Sequence, residues 1–127
     1  MTFSVSRRIA ASAEDVWALL TDTGTWPAWG PSITGVEPPV GPRSGGLGPG
    51  SHGRVRTVLG PALPYTVTAF EPGRYWAWSV AGIPATGHRV IPQGGGCLVT
   101  FTVPWWAPAY LPVCAVALRR IERLATR

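Results

Sequence analysis

A chain of 127 residues fits one domain with one core, and 46% hydrophobic against 13% charged residues excludes a disordered polymer. The net charge of +5 is carried by arginine alone, scattered through Arg7, Arg8, Arg54, Arg56, Arg74 and Arg89 with one cluster at Arg119, Arg120, Arg123 and Arg127. That dispersal argues against a nucleic-acid stripe, and cations at the end of a tail helix complement its C-terminus.

Phe3, Val5, Arg7 and Ile9 alternate with Ser4, Ser6 and Arg8, the period of a strand with one buried face. Ser12 followed by Glu14 and Asp15 announces a helix start, and Val16, Trp17, Leu19 and Leu20 supply its apolar side. Trp26-Pro27-Ala28-Trp29 reads as a second short helix, stopped by Gly30-Pro31. Ile33 to Glu37 reads as a strand. Residues 38–53 crowd proline among glycine and read as a loop, either a flap over an opening or an insertion, with the insertion preferred. Five further strands are expected over Arg54–Leu59, Tyr65–Phe70, Arg74–Val80, Thr86–Ile91 and Cys97–Val103, separated by turn signals short enough to make neighbours antiparallel. From Leu111 onward, Cys114, Ala117, Leu118, Ile121 and Leu124 recur at helical steps, so the tail is the one long helix.

These elements make an α+β domain spanning residues 1–127. A sheet of about seven antiparallel strands must curl, with the C-terminal helix in its hollow and two short helices after strand one. Cys97 and Cys114 lack CxxC spacing, and the N-terminus has no secretory leader, so they read as reduced core thiols of a cytoplasmic protein. The apolar run Val103 to Leu118 is broken by three prolines and falls short of the roughly 20 residues a membrane span needs.

The element order, together with AEDVWALLTDTGTWPAWGPSI, PGSHGRVR, EPGRYWAWSV and HRVIPQGGGCLVTF, resembles the START/birch-pollen-allergen helix-grip superfamily (SRPBCC). The likeness is strongest to its small bacterial polyketide cyclase/dehydrase and lipid-transport members, and it covers nearly the whole chain. The resemblance implies a curved sheet wrapped around the long helix, enclosing a cavity for a lipid, sterol or polyketide. Some members of the family are cyclases and others only bind or carry. Cys97 departs from the threonine that many relatives carry after paired glycines.

Alternation assigns inner faces. Trp76 and Trp78 point inward, as do Val55 and Thr57, Val67, His88 with Val90, and Val99 with Phe101. With Trp29, Tyr110, Cys114 and Leu118 they form a candidate ligand lining whose few polar members include His88 and Thr57. His88 could move a proton in a cyclisation or dehydration, helped by Tyr65 or Thr57, but a hydrogen-bonded core histidine is the plainer reading because no carboxylate is placed to orient it. Trp105, Trp106 and Tyr110 precede the helix as a gate, a membrane wedge, a dimer contact or a hydrophobic staple. No metal, cofactor or nucleic-acid partner is expected, and the chain could be a monomer or homodimer. The leading expectation is binding of an apolar or aromatic small molecule between sheet and helix. A cyclase/dehydratase in the same cavity is the alternative, and an interaction or membrane-surface module through Trp105 and Trp106 is the third.

Overall fold

The structure is a computed structural model that describes residues 2–37, 47–58 and 60–127. Nine of the residues read as a proline-glycine loop, 38–46, lie outside that set, and with them most of the question whether the loop is a flap or an insertion.

Strand β1 (Thr2–Ile9) is followed by α1 (Ala13–Thr21), a 3-10 turn over Thr23–Thr25, and α2 (Trp26–Trp29). Six strands come next: β2 (Ile33–Val36), β3 (His52–Thr57), β4 (Ala62–Glu71), β5 (Tyr75–Val80), β6 (Ile83–Gln93) and β7 (Gly96–Pro104). A second 3-10 turn over Pro108–Tyr110 then leads into α3 (Leu111–Ala125). Several strands run longer than turn residues suggest. The loop stops at Ser51 because His52 and Gly53 already pair with Thr66 and Tyr65, and Pro84 stays in β6 opposite Ser79.

All seven strands form one sheet in the order β1-β7-β6-β5-β4-β3-β2, every pair antiparallel, curled into a half-barrel. Only β1 leaves its place in sequence, crossing to pair with β7 from Thr2↔Pro104 to Ile9↔Cys97. At the far end of that pairing a side chain on Gly96 would run into the Ile9 carbonyl, so close backbone approach dictates glycine there. α3 packs on β1 and β7 and against α1 and α2, burying Cys114, Ala117, Leu118 and Ile121.

Local chemistry fixes the helices at the mouth of the curl. Ser12 Oγ accepts the Asp15 N–H at 3.1 Å, the N-cap its sequence announces. The other end of α1 is closed from the next helix: Trp26 Nε1–H donates to the Leu20 carbonyl at 2.9 Å and Trp29 Nε1–H to the Leu19 carbonyl at 3.1 Å. Helix ends leave carbonyls without partners, and here two indoles supply them, which turns both ring systems toward the sheet.

The β5–β6 hairpin turns on Ala81 and Gly82, with φ of 53° and 79°. Two positive φ values in a two-residue loop define a type I′ turn, which suits the sheet's twist but strains alanine at its first position. Ala81→Asn relieves that strain, and should raise the unfolding free energy by about 0.5–1 kcal/mol in urea titrations. A decrease would show that the turn is not held in this form.

Candidate functional site

The hollow of the sheet is already filled. Trp26 stacks on Trp76 with centroids 5.3 Å apart and planes 8° from parallel, and Trp76 stacks in turn on His88 at 4.0 Å. Phe101 meets the His88 ring edge-on at 4.7 Å, and Trp29 closes on Phe101 at 5.9 Å. The expected ligand space between sheet and helix is small here. Trp29, His88, Cys114 and Ala117 border a space of only about 30 Å³. That suffices for one or two water molecules.

The larger opening lies toward one end of the half-barrel, a recess of about 290 Å³. β5 and β6 give it Trp78, Val80, Ile83, Pro84, Ala85 and Thr86, while Ile33, Val55, Thr57 and Val103 add further walls. Four consecutive residues of one strand, Ile83 to Thr86, can border it because β6 is bulged between the pairs Ala77↔Gly87 and Ser79↔Pro84. Trp106, Ala107 and Tyr110 complete the lining. Tyr110 also borders the small cavity, and its hydroxyl lies 2.6 Å from Ser32 Oγ, tying the start of α3 to the entry of β2. Burial pushes the Tyr110 phenol upward from its ordinary pKa, partly offset by that hydrogen bond.

Among the described residues no charged side chain lines the recess, and hydroxyls on Ser32, Thr57, Thr86 and Tyr110 are among its few polar groups. Ser32 and Tyr110 satisfy each other. Thr57 Oγ1 is buried with no partner among the described residues. Thr86 belongs to a chain of hydrogen bonds: its Oγ1 lies 3.0 Å from Trp78 Nε1 and 3.0 Å from His88 Nε2, and His88 Nδ1 lies 3.1 Å from the Trp76 carbonyl. Burial lowers the His88 pKa to about 3, against a smaller upward effect of the Trp76 carbonyl, so the ring is uncharged at neutral pH. Cys114 is pushed up to about 11 and Tyr65 to about 12 by burial, so neither supplies an anion there.

The residues proposed from sequence therefore separate into groups. Val55, Thr57, Trp78, Trp106 and Tyr110 border the recess, and Trp29, Trp76, His88, Phe101 and Cys114 border the small cavity together with Trp78 and Tyr110. Val67, Val90, Val99 and Leu118 are buried in the core and line neither space, because the aromatic stack occupies the hollow they face. Trp105 is 62% and Trp106 51% exposed, which is no staple buried against the sheet. Tyr65 turns inward beside Trp26 and Trp78, its hydroxyl without a partner among the described residues. Sequence reading missed Trp26 and Thr86. Thr86 was detectable, since it shares inner parity with His88 two residues away; the β6 bulge that adds Pro84 and Ala85 to the lining leaves no sequence signal.

The chain matches the family described as polyketide cyclase / dehydrase and lipid transport over residues 1–125. No curated protein matches it. Among solved structures it is similar to the protein XoxI from Bacillus cereus, at 17% identity and a TM-score of 0.71, covering 98% of this chain and 95% of that one. An AHSA1-like protein from Aeromonas hydrophila matches at 18% identity and a TM-score of 0.70, with 97% and 90% covered. DynU16, a protein from the dynemicin biosynthetic locus, matches at 17% and 0.66; 96% of this chain aligns to 46% of that one. Likeness at such identities establishes the fold. No helix among the described residues is long and apolar enough to cross a membrane.

The buried neutral imidazole has a consequence for stability. With a folded pKa near 3 and an ordinary value of 6.5, the unfolded chain takes up a proton below pH 6.5 that the folded chain refuses. This contribution is constant above pH 6.5 and is lost as the pH falls toward 3, by at most ~1.4 kcal/mol per pH unit. Urea titrations at several pH values, compared with His88→Gln, isolate that slope. In the folded protein the His88 ring resonances should stay flat from about pH 8 to 5; an inflection near the ordinary histidine pKa would contradict the assignment.

Proposed function

Because the chain belongs to the polyketide cyclase / dehydrase and lipid transport family, we propose that it binds a neutral, apolar small molecule in the recess rimmed by Trp106 and Tyr110. The observation that carries this reading is the lining itself: about 290 Å³ bounded mostly by aliphatic and aromatic side chains, with a few hydroxyls and no charge among the described residues. Ligand pockets are typically concave, mostly apolar and provided with a few polar groups, and this volume stands at the small end of their range. A carboxylate or phosphate head would meet no cation among the described lining residues and is better left in water.

Holding or carrying the molecule accords better with the site than converting it. His88 would need a free lone pair to act as a base, yet its Nε2 is engaged by Thr86, and its Nδ1 meets the Trp76 carbonyl, with no carboxylate beside it among the described residues to stabilise an imidazolium. The third reading, an interaction surface at Trp105 and Trp106, uses side chains on the same rim, since Trp106 borders the recess.

Trp78 and Trp106 both line the recess, so an occupant should change their fluorescence. Titrating fatty acids, sterols and aromatic polyketides into the protein should give saturable quenching for at least one class. Ala85→Trp, which places a ring in the opening, should weaken that binding by roughly tenfold or more while leaving the thermal midpoint within a few degrees. A flat response to every class, or unchanged binding in the filled variant, refutes the assignment to this recess.

A further inference from the structure

The hydrogen-bond chain behind the recess has a fixed direction, and that direction selects ligands. A backbone carbonyl can only accept, so the contact with Trp76 O requires the proton of the neutral imidazole on Nδ1. His88 Nε2 is then a bare acceptor, and the proton between it and Thr86 must come from the threonine hydroxyl. Trp78 Nε1–H can only donate, and it donates to the same Thr86 oxygen. Thr86 thus has its single proton turned toward His88 and one lone pair taken by Trp78, which leaves one lone pair to accept. Thr86 borders both the recess and the small cavity.

We propose that Thr86 is a specificity-determining residue that accepts a hydrogen bond from a hydroxyl of the bound molecule, so the recess prefers phenols and alcohols to their ethers and hydrocarbons. This rests on the assignment of the recess as the binding site. His88 is a positioning residue: it never touches the ligand and acts by holding the Thr86 proton inward. An ether or ketone has nothing to give Thr86. A hydrocarbon likewise leaves that Thr86 lone pair without a donor, which is unfavourable in an apolar wall.

Three ligands of similar shape separate the cases by calorimetry: 2-naphthol, 2-methoxynaphthalene and 2-methylnaphthalene. In an apolar recess with no such reader, desolvation of the hydroxyl ranks naphthol last. The expected result is naphthol tightest, by about tenfold over both others. Thr86→Val should abolish that advantage and Thr86→Ser should keep it. Because Thr86→Val also strips partners from Trp78 and His88 and could fail to fold, the wild-type ranking stands as a test by itself. Nitrogen-15 shifts of the His88 ring add a second one, with Nδ1 protonated and Nε2 bare from about pH 5 to 8. Naphthol ranked last, its advantage persisting in Thr86→Val, or a proton found on Nε2 overturns the proposal while leaving the recess assignment intact. Binding of none of the three overturns the recess assignment, and the proposal with it.

Discussion

The structure depends on what fills a curled sheet. Seven antiparallel strands bent into a half-barrel present a hollow wider than one helix can close, and α3 lies mainly over β1 and β7. The rest of the hollow is taken by α2, a single turn whose two tryptophans point into it. So short a helix has little stability of its own. It is held because its indole N–H groups pair with the last carbonyls of α1 while the rings stack into the sheet. One pair of side chains thereby closes a helix end, fills the core and decides where the remaining space lies.

That displacement bears on the chemistry. Had the hollow stayed open, His88 would face a ligand directly. Instead it is sandwiched between Trp76 and Phe101, and both its nitrogens are engaged. Burial disfavours the imidazolium, so the group whose ordinary pKa makes it a switch near neutrality stays uncharged there. A fixed, neutral ring makes a poor proton shuttle and a good orienting partner. Low local polarity strengthens the Trp78–Thr86–His88–Trp76 chain for the same reason that it weakens the base.

The strands were legible because period-two alternation survives wherever one face is buried: Trp76 and Trp78, His88 and Val90, and Val99 and Phe101 all turn inward as their spacing says. The C-terminal helix was legible from its apolar stripe, and the family likeness from turns and core positions spread along the chain. The location of the cavity was not. Small residues such as Cys114 and Ala117 state only that something bulky approaches, and a ligand and a tryptophan from another element leave the same pattern. Deciding between them requires the long-range contact between α2 and α3, which no local period encodes. The β6 bulge was hidden for a similar reason, since it is a property of the pairing with β5 and not of the strand's own sequence.

An apolar recess open to water is unfavourable and would be expected to collapse if its walls could move, so its persistence needs a mechanical reason. Val80 and Ile83 are opposite neighbours across the tight Ala81-Gly82 turn, and Val103 is held in register with Phe3. The wall formed by the chain before α3 contains Pro104 and Pro108, which restrict its backbone, and the Ser32–Tyr110 hydrogen bond fastens it across to β2. Closing the opening would require breaking that bond or a strand ladder for a modest gain in buried apolar area. The rim keeps Ile83, Trp105 and Trp106 more than half exposed. Among the described residues nothing covers that patch, and the rigid frame keeps the apolar recess open.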